Sequence, residues 1–154
     1  MFSIAFLSFS FLRIIYQLAL YILTALAFYH LARLRGLAYP WLAFIPFFNL
    51  YQMGSIGDTL KFNSSPFNRY LADVPLAYLL PILALVTGLL NVLPIIGGLL
   101  YFLCQVVLYL LQLLIYLFIF QQYCPQKKYL FTILSIIPLV GPILVLYTTR
   151  SYIR

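Results

Sequence analysis

Acidic groups are almost missing from this chain: two aspartates and no glutamate stand against nine Lys and Arg in 154 residues. There is one histidine, and there are two cysteines. Each scarcity excludes something. No carboxylate lies inside an apolar stretch, so the chain lacks the group that couples transport to protons or cations within a membrane. His30 would have to hold a metal without the Cys or carboxylate cluster that metal sites are built from, so neither metal nor cofactor is expected. Cys104 and Cys124 sit on what reads as one helix, roughly 30 Å apart at 1.5 Å per residue, beyond the reach of a disulfide. No Gly-x-Ser-x-Gly, His-Glu-x-x-His or phosphate-binding glycine loop occurs, and no catalytic residue is expected. Charged residues make up 7% of the chain, where a soluble domain carries about 25%. Such a surface has too few charges to face water.

What the chain has instead is hydrocarbon: 66% of its residues are hydrophobic. Four stretches carry no charge, residues 14–32, 36–57, 74–126 and 129–149. A spanning helix needs roughly 20 apolar residues, and runs such as VVLYLLQLLIYLFIF lack the polar–apolar alternation of barrel strands. The reading is an all-α integral membrane protein, a single membrane domain over 1–154. The opening MFSIAFLSFSFLR lacks a basic n-region and a small-residue cleavage site, so it reads as the start of a helix. The net charge of +7 is scattered in ones and twos between apolar runs. That is the pattern of topology signals and anionic-lipid contacts, with no nucleic-acid partner implied.

Three breaks share a grammar: LAFIPFFNL at 42–50, LNVLPIIGGL at 90–99 and LSIIPLVGPI at 134–143. Proline removes a donor and clashes with the preceding turn, and Asn or Gly three residues on can take the left-handed conformation of a turn. Each break reads as helix, apolar turn, helix, or else as a kink in a continuous span. Charge separates the two. If every run crosses, giving five kinked spans, four positive residues face five across the membrane. If 36–57 and 129–149 enter and leave on one face, eight of the nine (all but Arg13) share a side. Cytoplasmic loops carry the Lys and Arg excess, so the second arrangement is preferred. It has three spanning helices at 8–32, 75–90 and 98–122 and re-entrant hairpins at 37–57 and 130–149, with tips at Pro46–Asn49 and Pro138–Pro142. A polar cytoplasmic loop covers 57–73 and an outside turn 91–97. The N-terminus lies outside and the C-terminus in the cytoplasm of a cell membrane.

Two polar stripes run along single helical faces: Ser10, Arg13, Gln17, Tyr21 and Thr24 on the first helix, and Tyr101, Gln105, Tyr109, Gln112 and Tyr116 on the third. Polar groups within a bilayer face the bundle interior or a wet cavity, so both stripes are expected to face inward. They serve either as interhelical hydrogen bonds, with Gln and Tyr also donating to carbonyls freed by the Pro breaks, or as the lining of a path for a small polar solute. Arg13 is expected to snorkel to the outer interface, and Asn49 to cap the second arm of the first hairpin. Asp58 and Asp73 read as members of a solvated loop.

At Trp41, Ile45, Pro46, Asn49 and Tyr51 the chain resembles a group of small bacterial membrane proteins. They share a Trp-x-x-x-Ile-Pro-x-x-Asn-x-Tyr stretch, commonly after a basic residue and a glycine, here Arg35 and Gly36. The resemblance covers about 20 residues and implies a bacterial cytoplasmic membrane; it supplies no activity and no catalytic residues. Function is therefore expected from one of two classes. The preferred one is a non-catalytic accessory or interaction subunit, docking its 28 Phe and Tyr residues on a membrane protein partner or on a second copy. The alternative is a small channel or transporter for a neutral solute.

Overall fold

The computed structural model describes residues 2–61, 73–90 and 96–150, and among them every regular element is helical. Helix α1 spans Phe2–Leu34, starting earlier than the expected residue 8 because nothing before Gly36 breaks the ladder. It ends where Gly36 takes φ 67°, the Leu37 N–H bonding the Ala32 carbonyl (3.0 Å) and the Gly36 N–H that of Arg33 (3.2 Å). These paired bonds are the usual way a left-handed residue satisfies the last carbonyls of a helix.

The chain then doubles back. A short 3-10 turn, Pro40–Phe44, leads to Ile45 at φ −98°, ψ 127°, the extended conformation that a following proline imposes. The reversal itself falls on Phe47, at φ 67°, ψ −44°, in the γ-turn region that strains a residue bearing a Cβ. Helix α2, Phe48–Leu60, runs back to the starting end. The expected cap is overturned: Asn49 lies one residue inside α2, no side chain caps that helix, and the Asn49 N–H bonds the Ile45 carbonyl at 2.9 Å. Pro46 sets the turn two residues too early for Asn49 to occupy the cap, which falls on Phe47.

At the base of this hairpin Arg35 closes the loop. Its Nε donates to the Thr59 hydroxyl (3.2 Å) and an Nη to the Thr59 carbonyl (2.8 Å). The residues that were to open a solvated loop at 57 belong instead to the last turn of α2. Asp58 accepts the N–H groups of Leu76 (3.0 Å) and Ala77 (2.9 Å) on its two carboxylate oxygens, capping α3 (Leu76–Leu90) where free amide donors favour an anion. Lys61, nearly buried, pairs with Asp58 at 3.0 Å and donates to the Val74 carbonyl. At Gly54 the two helices touch, where a Cβ would run into the backbone carbonyl of Leu76. The rest of the expected loop, and Pro94 in the second break, lie outside the described residues.

Helix α4, Ile96–Tyr123, takes in Ile96 and Gly97, expected in a turn. A 3-10 turn at Pro125–Lys127 and the short α5, Lys128–Leu134, climb to a second reversal over 135–139. Helix α6, Val140–Thr149, returns. Pro142 was expected in the tip but lies in the first turn of α6, where its missing N–H breaks no bond. Buried side chains from both hairpins and both long helices (Phe28, Leu31, Ile56, Ile115, Phe120 and Val145 among them) form the core at the end where the hairpins close. Away from it, every residue from Phe11 to Ala19 is exposed. Two helical segments, Phe11–Leu34 and Gly98–Tyr123, are long and apolar enough to cross a membrane.

Candidate functional site

Phe28 of α1 and Tyr116 of α4 face each other with ring centroids 6.2 Å apart, and Tyr116 stacks on Phe120 at 6.1 Å. One turn further from the hairpin bases, Thr24 and Gln112 occupy matching places, then Tyr21 and Tyr109, then Gln17 and Gln105. The two stripes thus have one spacing, offset throughout by 88 residues, and α1 and α4 run in the same direction from the cavity mouth to the hairpin bases. The second hairpin repeats the first in the same way. The Tyr21 hydroxyl donates to the Phe44 carbonyl at 2.6 Å, and the Tyr109 hydroxyl to the Ile136 carbonyl at 2.7 Å. Each of these carbonyls precedes the tip proline (Pro46 or Pro138) by two residues. The tips are offset by 92 residues, so one helical turn has been added between helix and tip. The chain is two helix-plus-hairpin units in parallel, with α3 as the return pass that lets the second unit start at the same end as the first.

Between the two tips lies a cavity of about 410 Å³. Gln17, Tyr21 and Thr24 line it from α1, Asn49 and Met53 from α2, Tyr109, Gln112 and Tyr116 from α4, and Ser135 and Pro138 from the second tip. Exposure falls along α1 from Gln17, exposed, through Thr24, half-buried, to Phe28 at 2%. The cavity is therefore a funnel, open on the Gln17 side and closed below by Phe28, Met53 and Tyr116. Tyr116 reaches its place because Gly141 of α6 has no side chain; a Cβ there would lie 3.0 Å from the ring.

Of the expected polar lining, Gln17, Asn49, Tyr109, Gln112 and Tyr116 are brought together on this cavity, and Tyr101, Gln105 and Arg13 are not. Arg13 and Gln105 are exposed and Tyr101 half-buried, all beyond the level of the tips. The helices are longer than the hairpins that pack on them, so the outermost turn of each stripe has nothing opposite. Ser135 and Met53 were missed; each sits on a stretch whose inward face depends on how the hairpin rotates, which spacing does not encode. Tyrosines of the stripes were expected to donate to carbonyls freed by the Pro breaks, and Tyr21 and Tyr109 do so; the 88-residue offset between the stripes was not foreseen. His30 packs edge-on to Tyr29 at 5.8 Å. Among the described residues no three His, Cys, Asp or Glu side chains gather as a metal site would need.

The chain matches no family model, no curated protein and no solved structure.

Proposed function

We propose that the chain is a multi-pass protein of a cell membrane, crossing at α1, α3 and α4 with both hairpins re-entrant, and that the funnel binds a small uncharged solute on its way into or across the bilayer. Several features support the membrane reading. Beyond the hairpin tips both long helices expose large apolar side chains, among them Phe11, Leu12 and Ile14 on α1 and Leu99, Phe102 and Leu103 on α4. Helical hydroxyls at Ser55, Thr24, Thr87, Thr132, Ser135 and Thr149 each bond the carbonyl four residues back, as polar groups do where water cannot serve them. From the tips, both arms run toward the end that carries Arg33, Arg35, Lys127, Lys128 and Arg150, and this positive excess supports a cytoplasmic side there and a cavity mouth on the other.

The observation that carries the solute reading is the open, hydrogen-bonding centre. A purely structural bundle fills its axis with side chains, and this one holds a cavity within the size range of small-molecule sites. Among the described residues Phe28, Met53 and Tyr116 close its floor, which favours a binding funnel. Flux of small neutral solutes into vesicles carrying the reconstituted protein tests the reading, with loss on Gln112→Leu expected. No flux above protein-free vesicles, together with a stoichiometric partner in native purification, favours an accessory subunit instead. That second reading draws support from residues 11–19 of α1, exposed all round and carrying Arg13, which a neighbouring helix or a second copy would cover. The topology is tested by single cysteines at Ser64 and Gln126 in a chain lacking Cys104 and Cys124. Both should react with an impermeant thiol reagent only after cells are opened, and labelling of Ser64→Cys in intact cells overturns the re-entrant arrangement.

A further inference from the structure

Hydrogen-bond accounting in the funnel narrows what it can hold. Four of its hydroxyls have their protons committed to the backbone. Tyr21 donates to Phe44, Thr24 to Leu20, Tyr109 to Ile136 and Ser135 to Phe131, at 2.6 to 2.8 Å. Each oxygen keeps lone pairs and can only accept from a ligand. The donors left over are the carboxamides of Gln17, Asn49 and Gln112 and the hydroxyl of Tyr116. None of these four finds a hydrogen-bonding partner among the described residues. The wall therefore offers more acceptor oxygens than donor groups, arranged around a floor of aromatic rings.

Among the described residues, no charged side chain lines the cavity. An anion would meet no lysine or arginine there. A cation would enter a chain of net charge +7 and find no carboxylate. Ions leaving water for such a place lose far more solvation than neutral dipoles return. A hydrocarbon would strand three carboxamides without partners, each at the cost of an unmade hydrogen bond. What remains is an uncharged molecule with several O–H or N–H donors. The volume of 410 Å³ equals roughly fourteen waters at about 30 Å³ each, room for a six-carbon polyol together with several waters.

We propose that the funnel is a binding site for small uncharged molecules bearing several hydroxyl or amide N–H donors, recognised by Gln17, Asn49 and Gln112 and seated on Tyr116. This rests on the solute-binding reading above, and it adds the chemical class.

The test is saturation-transfer NMR on the full chain in detergent, titrating glycerol, mannitol and acetamide. Acetate and tetramethylammonium serve as charged comparators, and glycerol trimethyl ether as the probe whose donors are capped. Dissociation constants for the donor-bearing probes should weaken about five-fold or more on Asn49→Leu and on Gln112→Leu, the effect of one lost neutral hydrogen bond. They should stay unchanged on Gln105→Leu, a glutamine of the same stripe outside the cavity. Each variant is first checked for the melting temperature and gel-filtration profile of the parent, with Asn49→Ser and Gln112→Ser replacing any that fails. Variant-sensitive binding of the charged or capped probes at equal strength overturns the class assignment while leaving a binding cavity. If no probe shows variant-sensitive transfer, the class and the solute-binding reading fall together.

Discussion

Arg35 and Thr59, 24 positions apart, are joined by two hydrogen bonds, one to the hydroxyl and one to the main-chain carbonyl. A segment of apolar residues as long as a membrane span thus begins and ends at a single point. The chain between them travels out to Phe44, where Tyr21 holds it, and Tyr21 stands 13 residues back from the end of α1, roughly 20 Å along the helix.

This clasp should be measurable. Arg35→Ala removes both bonds and is expected to lower stability by about 2 kcal/mol, the usual scale for charge-assisted hydrogen bonds. Thr59→Val keeps the stronger bond to the carbonyl and should cost about 1 kcal/mol or less. Thermal unfolding followed by circular dichroism in detergent checks the order, and equal losses would mean the guanidinium does not hold the carbonyl.

Two glycines should respond to alanine with opposite signs. At Gly54 a new Cβ meets the backbone of Leu76, and backbone cannot step aside without parting α2 from α3. Gly54→Ala should destabilise by about 2 to 3 kcal/mol as an overpacked contact does. Gly88, exposed near the end of α3, has nothing within 4 Å of its Cβ position. Gly88→Ala should stabilise by about 0.5 to 1 kcal/mol through helix propensity. Melting temperatures of the two variants, measured side by side, decide it.

Tyr21→Phe and Tyr109→Phe each delete one hydroxyl that serves a tip carbonyl. Each is expected to cost about 1 kcal/mol and to leave the opposite hairpin undisturbed. Hydrogen exchange should rise around 48–51 in the first variant and around 135–140 in the second. If both regions respond to either change, the two tips form one cooperative unit.

Asn49 is a lining residue, since the cap position of α2 belongs to Phe47. Asn49→Leu should therefore leave the melting temperature close to that of the parent, within about 0.5 kcal/mol as for substitutions away from a cap or core contact, while solute binding weakens about five-fold or more. A loss near 1 kcal/mol, rescued by Asn49→Asp, would restore the capping role.

The class of structure was legible in the residues because its causes are local. Uncharged stretches of twenty residues dictate helices, and Pro46 breaks one by lacking an N–H and by holding Ile45 extended. Gly36 ends α1 because it alone there takes a positive φ without strain. The polar stripes could be placed on helix faces for the same reason, a fixed angle per residue.

Other features depended on what lies opposite. Phe47 reverses the chain, although nothing in its type favours a positive φ, because Tyr21 holds Phe44 and α2 is held by Arg35 and Gly54; the turn must fall between. Asp58 caps a helix 18 residues away, and its partners are amides that any sequence could supply. Gln112 lines a cavity and Gln105 does not, though they share a stripe, because only the first has a hairpin tip opposite it. Side-chain spacing sets the direction in which a residue points along its own helix. Which neighbours it meets there depends on how separate helices pack, and that was settled only in the tertiary structure.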